Sequence, residues 1–352
     1  MPGLLVEGPG PPLLAEGPGP PLVDLRPRRG RILKGIPGFI VRRVLLGVLT
    51  LFVCSLVIFA ATQALPGDTA RSILGRGAQP EALAELRKQL GLDQSVFQQY
   101  LDWITGVLTG DLGTSLAAGL PVSEVIGERI GYSAFLMLLA ASISIPLAVF
   151  IGAVSARRRD GPFDHTVSVV SLTLAALPEF VVGIGLVILL STTVFHVFPA
   201  VTVIEPGTPP WSHPEELVLP TLVLVIAVTP YVTRIMRASM VEILESDYVE
   251  MARLKGLSER LVLWRHAVPN GVAPTFQVIA INLAYLAGGI VVVEAIFNYP
   301  GIGLGFVDAV RSRDMPVVQA LALLIAALYV ILNLLADLAT ILVSPRLRTS
   351  LK

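Results

Sequence analysis

Three acidic residues lie within long apolar stretches of this 352-residue sequence: Glu179, Glu294 and Asp337. A charged side chain is costly in a membrane interior, so an acid at such a position is a candidate for a substrate or ion pathway. Glu179 directly follows Pro178, and a helix broken at the proline would turn the carboxylate towards such a pathway. For all three acids, pairing between helices or contact with the membrane interface is the open alternative.

Motifs for other chemistry are absent from the sequence. A Gly-x-x-x-x-Gly-Lys-Ser/Thr phosphate loop does not occur, so we expect this chain to bind no ATP and no other cofactor itself. The sequence has no His-Glu-x-x-His pair, its four histidines are scattered, and its one cysteine, Cys54, lies in an apolar run. We therefore predict no catalytic residues and no metal site. The formal net charge is zero, which gives no reason to expect nucleic-acid binding.

Residues 238–274 have a pattern suited to binding a partner protein. A first helix is predicted to end where Gly256 reverses the chain. Ser258 is placed to cap a second helix, which Pro269-Asn270-Gly271 and Pro274 would end. A helix with an apolar face can dock into a groove on a partner, whereas the alternative is a helix lying on lipid headgroups. The predicted apolar face consists of Met240, Ile243, Leu244, Tyr248, Met251 and Ala252.

The elements that must hold these residues are membrane spans. Hydrophobic residues make up 54% of the chain and charged residues 15%, whereas a soluble protein carries about 25% charged residues. Six apolar segments are each long enough to cross a bilayer as a helix. An all-α membrane protein with six spans is therefore predicted. The spans are 44–65, 131–154, 166–195, 217–236, 275–297 and 316–343.

The basic residues predict how these spans are oriented. Most of the 26 Lys and Arg residues fall in segments that face the cytoplasm if the N-terminus does, so both termini are predicted to be cytoplasmic. Residues 1–43 form a Pro/Gly-rich tail with a basic juxtamembrane segment, for which we predict disorder, and residues 344–352 form a short cytoplasmic tail. Residues 66–130 are predicted to lie outside, with short helices at 80–90 and 97–108.

The patterned segment resembles the signature loop of ATP-binding-cassette (ABC) importer permeases, and more narrowly that of the dipeptide/oligopeptide (peptide and nickel) permease family. The residues that carry the resemblance are Tyr248-Val249, Ala252-Arg253, Lys255-Gly256-Leu257, His266-Ala267, Asn270 and Pro274. Further matching motifs, in order along the chain, are Leu65-Pro66-Gly67-Asp68, Leu90-Gly91-Leu92-Asp93, Gly110-Asp111-Leu112-Gly113, Gly288-Gly289, Val293-Glu294, Pro300-Gly301-Ile302-Gly303, Arg313-Asp314 and Pro345-Arg346.

The resemblance implies a type I ABC importer permease fold and the translocation of di- or oligopeptides across the cytoplasmic membrane. Its partners would be a second homologous permease, two cytoplasmic ATPase subunits or domains that hydrolyse ATP, and an extracytoplasmic substrate-binding protein. Membrane lipid would surround the spans. Residues 66–130 are predicted to help dock the binding protein or to receive its cargo. The residues implied in ATPase coupling are Tyr248, Val249, Glu250, Ala252, Arg253, Lys255, Gly256, Leu257, His266 and Asn270.

Other functions stay open at the level of the sequence. A permease of the same family could carry nickel chelates or another peptide-like solute. An ion-coupled secondary transporter could use Glu179 and Asp337 as a relay, although such proteins have internal repeats and none is evident here. An intramembrane hydrolase would need a nucleophile and a paired base, which do not stand out. A simple channel would leave the pattern of residues 238–274 without a role.

Overall fold

The computed structural model describes residues 36–64, 74, 79–89, 91, 93–205 and 207–343. Within these residues the regular elements are helices, with one isolated bridge between Thr114 and Pro121, so the all-α prediction is confirmed. The helices are α1 (Ile36–Ala64), α2 (Pro80–Gln89), α3 (Val96–Thr109), α4 (Val122–Arg157), α5 (Pro162–Ala176), α6 (Glu179–Val187), α7 (Pro214–Leu244), α8 (Asp247–Leu254), α9 (Glu259–Leu261), α10 (Val268–Phe297), α11 (Ile302–Ser312) and α12 (Met315–Val343).

Five of these helices are long and apolar enough to cross a membrane: α1, α4, α7, α10 and α12. The third predicted span, 166–195, is instead the bent pair α5 and α6, which meet at 101°. The bend follows from Pro178, because the residue before a proline is driven out of the helical region. Leu177 is accordingly extended, with φ −85° and ψ 130°. Five spans are therefore continuous, and a sixth is formed if the bent pair counts as one.

The helices extend beyond the predicted span limits. α1 begins at Ile36 rather than residue 44, α4 runs over Val122–Arg157 rather than 131–154, and α7 over Pro214–Leu244 rather than 217–236. The predicted limits mark only the apolar part of each helix, whereas backbone hydrogen bonding continues into the polar turns. Residues 1–35 and 344–352, which carry the predicted tails, lie outside the described residues.

The core lies between α4, α7 and α10. Side chains from all three helices interlock there, and α4 and α7 approach closely at Gly152. A Cβ atom at residue 152 would lie 2.8 Å from Met236 Cβ and from the Thr233 carbonyl oxygen, so only glycine permits this approach, as at many helix contacts in membranes. The central buried residues are Leu136, Ala140, Val223, Leu224, Leu286, Ile290, Val293 and Phe297.

The region between α1 and α4 contains both of the short helices predicted there, α2 and α3. α3 packs on the end of α1, where Phe59 stacks with Trp103 and meets the Tyr100 ring edge-on. The Tyr100 hydroxyl also lies 2.9 Å from Ser55 Oγ. This part of the region between α1 and α4 is therefore fixed to the span bundle. The connection between α10 and α12 contains a further helix, α11, which the sequence did not predict.

Candidate coupling and transport sites

The segment between α7 and α10 forms a separate short helix, α8. We predicted one helix with an apolar face from Met240 to Ala252, and this is wrong because the helix breaks at Glu245 and Ser246. Ser246 is extended, and its hydroxyl donates to the Ile243 carbonyl at 2.5 Å. A serine that bonds to nearby backbone in this way competes with helix continuation. Met240, Ile243 and Leu244 therefore belong to α7, and only the later residues belong to α8.

The two sides of α8 have different surroundings. On the inner side Val249 and Ala252 are buried with Val262 from the turn before α10. On the outer side the exposed fractions are 44% for Tyr248, 53% for Met251 and 75% for Leu254, and the polar residues Glu250 and Lys255 are exposed as well. An exposed apolar face of this kind is typical of a surface that another protein covers. α8 is therefore held to the bundle by one side and free for contact on the other.

Gly256 makes the predicted chain reversal. Its φ is +78°, a conformation that side chains with a Cβ rarely adopt. The Leu257 amide donates to the Ala252 carbonyl at 3.3 Å and the Gly256 amide to the Arg253 carbonyl at 2.9 Å. These two bonds form a Schellman motif, which ends a helix by satisfying its last carbonyls. The turn fixes the direction in which α8 projects.

The second predicted helix does not end at Pro269 or Pro274, so that prediction is wrong. α9 begins after Ser258, whose side chain makes no cap bond, and continues through a π turn at 262–267 directly into α10. Pro269 occupies the first turn of α10, where a missing amide is tolerated. The side-chain amide of Asn270 donates to the His266 carbonyl at 2.8 Å. α9, the π turn and α10 therefore form one continuous helix from the turn after α8 to the far end of the bundle.

Polar bonds tie α8 to both neighbouring spans. Arg253 donates to the Leu244 carbonyl of α7 at 3.2 Å and to Glu259 of α9 at 2.9 Å. The Tyr248 hydroxyl donates to the His266 carbonyl at 3.4 Å. α8 is therefore bonded both to α7 and to the helical segment that leads into α10.

A buried ion pair near the same end of the bundle was missed in the sequence. Asp164 of α5, 3% exposed in its side chain, accepts two bonds from Arg237 of α7, at 2.5 and 2.6 Å. Ser155 Oγ of α4 and the Asp160 amide donate to the same carboxylate at 2.5 and 3.0 Å. The pair locks α5 to α7 one turn or more before α8. In the sequence, Arg237 is only one of the basic residues that are predicted to lie at the cytoplasmic side.

Glu294 fastens the opposite end of the bundle. It is fully buried, and its carboxylate accepts bonds from Ser133 Oγ of α4 at 2.5 Å and from the Gly303 amide at 2.6 Å. The site lies at the start of α11, where a helix favours an anion. A Cβ at Gly301 would lie 2.1 Å from a Glu294 oxygen, which explains why glycine occupies this position. The described contacts of Glu294 are thus bonds between helices.

Two further contacts fix this end. Asp314, 3% exposed, accepts from Ser115 Oγ at 2.5 Å and from the Leu116 amide at 3.1 Å, which attaches the loop before α4 to the start of α12. The buried Tyr299 hydroxyl donates to the Tyr132 carbonyl at 2.9 Å. Burial raises the pKa of the Tyr299 phenol further above neutrality.

The other two intramembrane acids differ from each other. Asp337 of α12 forms an ion pair with Arg43 of α1 at 2.8 Å. Glu179 is the first residue of α6, and its Oε1 atom is buried without a hydrogen-bond partner in the described part of the chain. A Cβ at Gly289 of α10 would lie 2.5 Å from the Glu179 carboxylate, so this glycine makes room for the acid. The structure therefore separates three residues that the sequence grouped together.

Comparison with known proteins agrees with this architecture. Residues 144–349 match the family described as "Binding-protein-dependent transport system inner membrane component", and residues 36–128 match the corresponding N-terminal family. A probable peptide ABC transporter permease protein of Sinorhizobium fredii is 35% identical over 88% of this chain and 99% of its own length. A putative peptide transport system permease protein of Brucella abortus is 36% identical over 88% and 98%, and a glutathione transport system permease protein of Salmonella choleraesuis is 34% identical over 88% and 98%.

These matches extend from α1 to the C-terminal segment, and they include both the broken span and α8. The resemblance drawn from the sequence is therefore confirmed. The chain is a multi-pass membrane protein that belongs to the family of binding-protein-dependent transport system inner membrane components, the permease subunits of ABC transporters.

Proposed function

We propose that this chain is the permease subunit of an ATP-driven importer for di- or oligopeptides, and that α8 couples it to the ATPase. The observation that carries the proposal is the two-sided packing of α8, with Val249 and Ala252 held against the bundle while Tyr248, Met251 and Leu254 face outwards. Relatives that are named as peptide permeases and match almost their full length support the cargo.

The complete transporter would contain several chains. A second homologous permease completes the pathway, two cytoplasmic ATPase subunits or domains bind and hydrolyse ATP, and an extracytoplasmic binding protein delivers the peptide. This chain binds no cofactor and has no ATPase activity in this scheme. The outer region 66–130 helps to dock the binding protein, because α3 is fixed to α1 but leaves Phe97 and Leu108 exposed.

Among the three intramembrane acids, Glu179 is our candidate for the pathway. Glu294 and Asp337 are also candidates from the sequence, but their carboxylates already bind Ser133 and Arg43 of this chain. A carboxylate that holds helices together is not free to bind cargo. Glu179 retains a buried oxygen without a partner among the described residues, at a break in a span, where pathway residues of transporters are found.

Leu254→Ser tests the coupling surface. The Leu254 side chain is 75% exposed, so its loss should leave the fold intact but weaken docking to the ATPase. We expect ATP-dependent uptake of labelled peptides to fall at least about tenfold, in the range of a docking hot spot, with normal membrane levels. Gly256→Asp should have a stronger effect, because a side chain at φ +78° redirects α8.

Val203→Ser is the matched control, because Val203 is also exposed but lies at the other end of the bundle. It should transport as the wild type does. Full uptake by Leu254→Ser and Gly256→Asp would refute coupling through α8. If the wild type assembles with an ATPase but takes up no peptide, the cargo assignment fails while the coupling proposal stands. Glutathione, a peptide-like solute carried by one relative according to its name, is then the next substrate to test, followed by nickel chelates.

A further inference from the structure

The surroundings of Glu179 identify what it can bind. The break before α6 places its carboxylate against Gly289 of α10. None of the ion pairs between described residues includes Glu179, and its Oε1 atom is both buried and unbonded there. A buried carboxylate oxygen without a hydrogen-bond partner is unfavourable, and the positive end of the α6 helix dipole offsets only part of this cost. A cation or a hydrogen-bond donor would therefore stabilise the Glu179 carboxylate.

The neighbouring side chains form an open, polar-edged face. Exposed residues recur on one side of α10 at Ile281, Tyr285, Gly288 and Val292, and this side is not covered by the described helices. Tyr285 precedes Gly289 by four residues, so it lies one turn away on the same face of α10 as the glycine that contacts Glu179. The Tyr231 hydroxyl of α7 donates to the Ala175 carbonyl at 3.1 Å, in the last turn of α5. The break in the span is thus bordered by two tyrosines and open on one side.

The chemistry of this face fits an ammonium group. A carboxylate supplies the opposite charge, phenol oxygens accept further N–H bonds, and tyrosine rings attract cations. A peptide of any sequence carries one such cation at its amino terminus. Building on the proposed peptide transport, we propose that Glu179, flanked by Tyr285 and Tyr231, binds the amino-terminal ammonium group of the peptide during its passage through the membrane.

The test uses the complete transporter, purified through a tag on this chain and reconstituted in liposomes. ATP-dependent uptake of a labelled tripeptide with a free amino terminus is measured for the wild type, Glu179→Gln and Glu179→Asp. Glutamine keeps the shape but removes the charge, so we expect uptake to fall about tenfold or more, as for loss of one partner of a buried charge pair. Aspartate keeps the charge and should restore part of the activity.

Glu215→Gln is the matched control. Like Glu179, Glu215 directly follows a proline at the start of a helix, here α7, but Glu215 is exposed. It should transport as the wild type does. Basal ATP hydrolysis and the yield of assembled complex are compared for all four proteins, so that misfolding is detected separately from loss of cargo binding.

A second measurement locates the amino terminus of the peptide directly. A photoreactive benzoylphenylalanine is placed at the first or the last position of the tripeptide, and the complex is trapped during turnover with vanadate. We expect the first position to label α6 or α10 near Glu179 and Gly289, the last position to label elsewhere, and Glu179→Gln to lose this preference.

The outcomes separate this proposal from the function on which it rests. Wild-type uptake with equal uptake by Glu179→Gln, or labelling near Glu179 from both ends of the peptide, overturns the ammonium site but leaves peptide transport intact. Absence of peptide uptake by the assembled wild type overturns the peptide cargo and the ammonium site together.

Discussion

Glu179, Glu294 and Asp337 are equivalent by hydropathy but not by their contacts. Glu294 lies within reach of Ser133 and of the first amides of α11, and Asp337 lies beside Arg43, whereas a buried oxygen of Glu179 lacks a partner among the described residues. The first two contacts join helices that are far apart in sequence. The neighbours that the fold places beside an acidic residue in a span therefore decide whether it bonds helices together or is available for transport.

Glu294→Gln tests the fastening role. Glutamine replaces one of the two acceptor oxygens by an N–H₂ donor that faces either the Ser133 hydroxyl or the Gly303 amide, so at least one charged hydrogen bond is lost. We expect a loss of about 2 kcal/mol in stability, measured as a lower unfolding temperature of the purified protein in detergent. Glu215→Gln should leave that temperature unchanged. An equally unchanged temperature for Glu294→Gln would contradict the fastening role.

At the level of elements, the proposed coupling region has three parts: α8, the turn at Gly256 and the continuous helix formed by α9 and α10. The π turn at 262–267 keeps this helix continuous despite Pro269. The Asp164–Arg237 pair connects α7 to the broken span, whose second half carries Glu179. The chain of contacts therefore runs from the proposed ATPase surface to the proposed pathway residue. Whether motion follows these contacts is tested by breaking the pair.

Asp164→Asn is the test of this connection. Removal of one charge leaves Arg237 without its counter-charge in a site where Asp164 is almost fully buried, and loss of one partner of a buried pair costs about 3 kcal/mol or more. We expect uptake to fall more than ATP hydrolysis by the assembled complex, because the ATPase would still close while α5 no longer follows α7. Exchange of the two residues, Asp164→Arg with Arg237→Asp, should restore part of the uptake.

The matched control for this test is Glu245→Gln, which removes the negative charge from the pair of Glu245 with Arg159. That pair is exposed, and exposed pairs contribute little, so uptake should be close to that of the wild type. Equal loss of uptake and ATP hydrolysis in Asp164→Asn would mean that the pair only maintains the fold.

At the scale of the whole molecule, the bundle has two ends with different contacts. One end carries α8 and the Asp164–Arg237 pair, and the other carries α3, α11 and the Glu294 and Asp314 contacts. The prediction that the α8 end is cytoplasmic depends on the distribution of Lys and Arg in the sequence. The same prediction places both termini inside and region 66–130 outside.

Cysteine labelling tests the orientation. In a Cys54→Ser background, Ser258→Cys marks the α8 end and Val203→Cys marks the opposite end, and both positions are exposed. We expect a membrane-impermeant thiol reagent to label only Val203→Cys in intact spheroplasts, and both variants after the membrane is opened. Labelling of Ser258→Cys in intact spheroplasts would reverse the predicted topology.

The class of the protein and most of its elements follow from the amino-acid sequence. Apolar runs long enough for a bilayer predicted the spans, helical spacing predicted α2 and α3, and the loop motif with Gly256 predicted both the family and the turn after α8, because these properties depend on residues close together in the chain. The remaining features needed the folded structure. The bonds of Glu294, Asp337 and Asp164 depend on donors that other helices supply. The break at Ser246 and the continuation through Pro269 are local features that apolar spacing does not reveal. Local pattern could place a carboxylate in the membrane, but only the packing of α6 against Gly289 showed which one lacks a partner within the described chain.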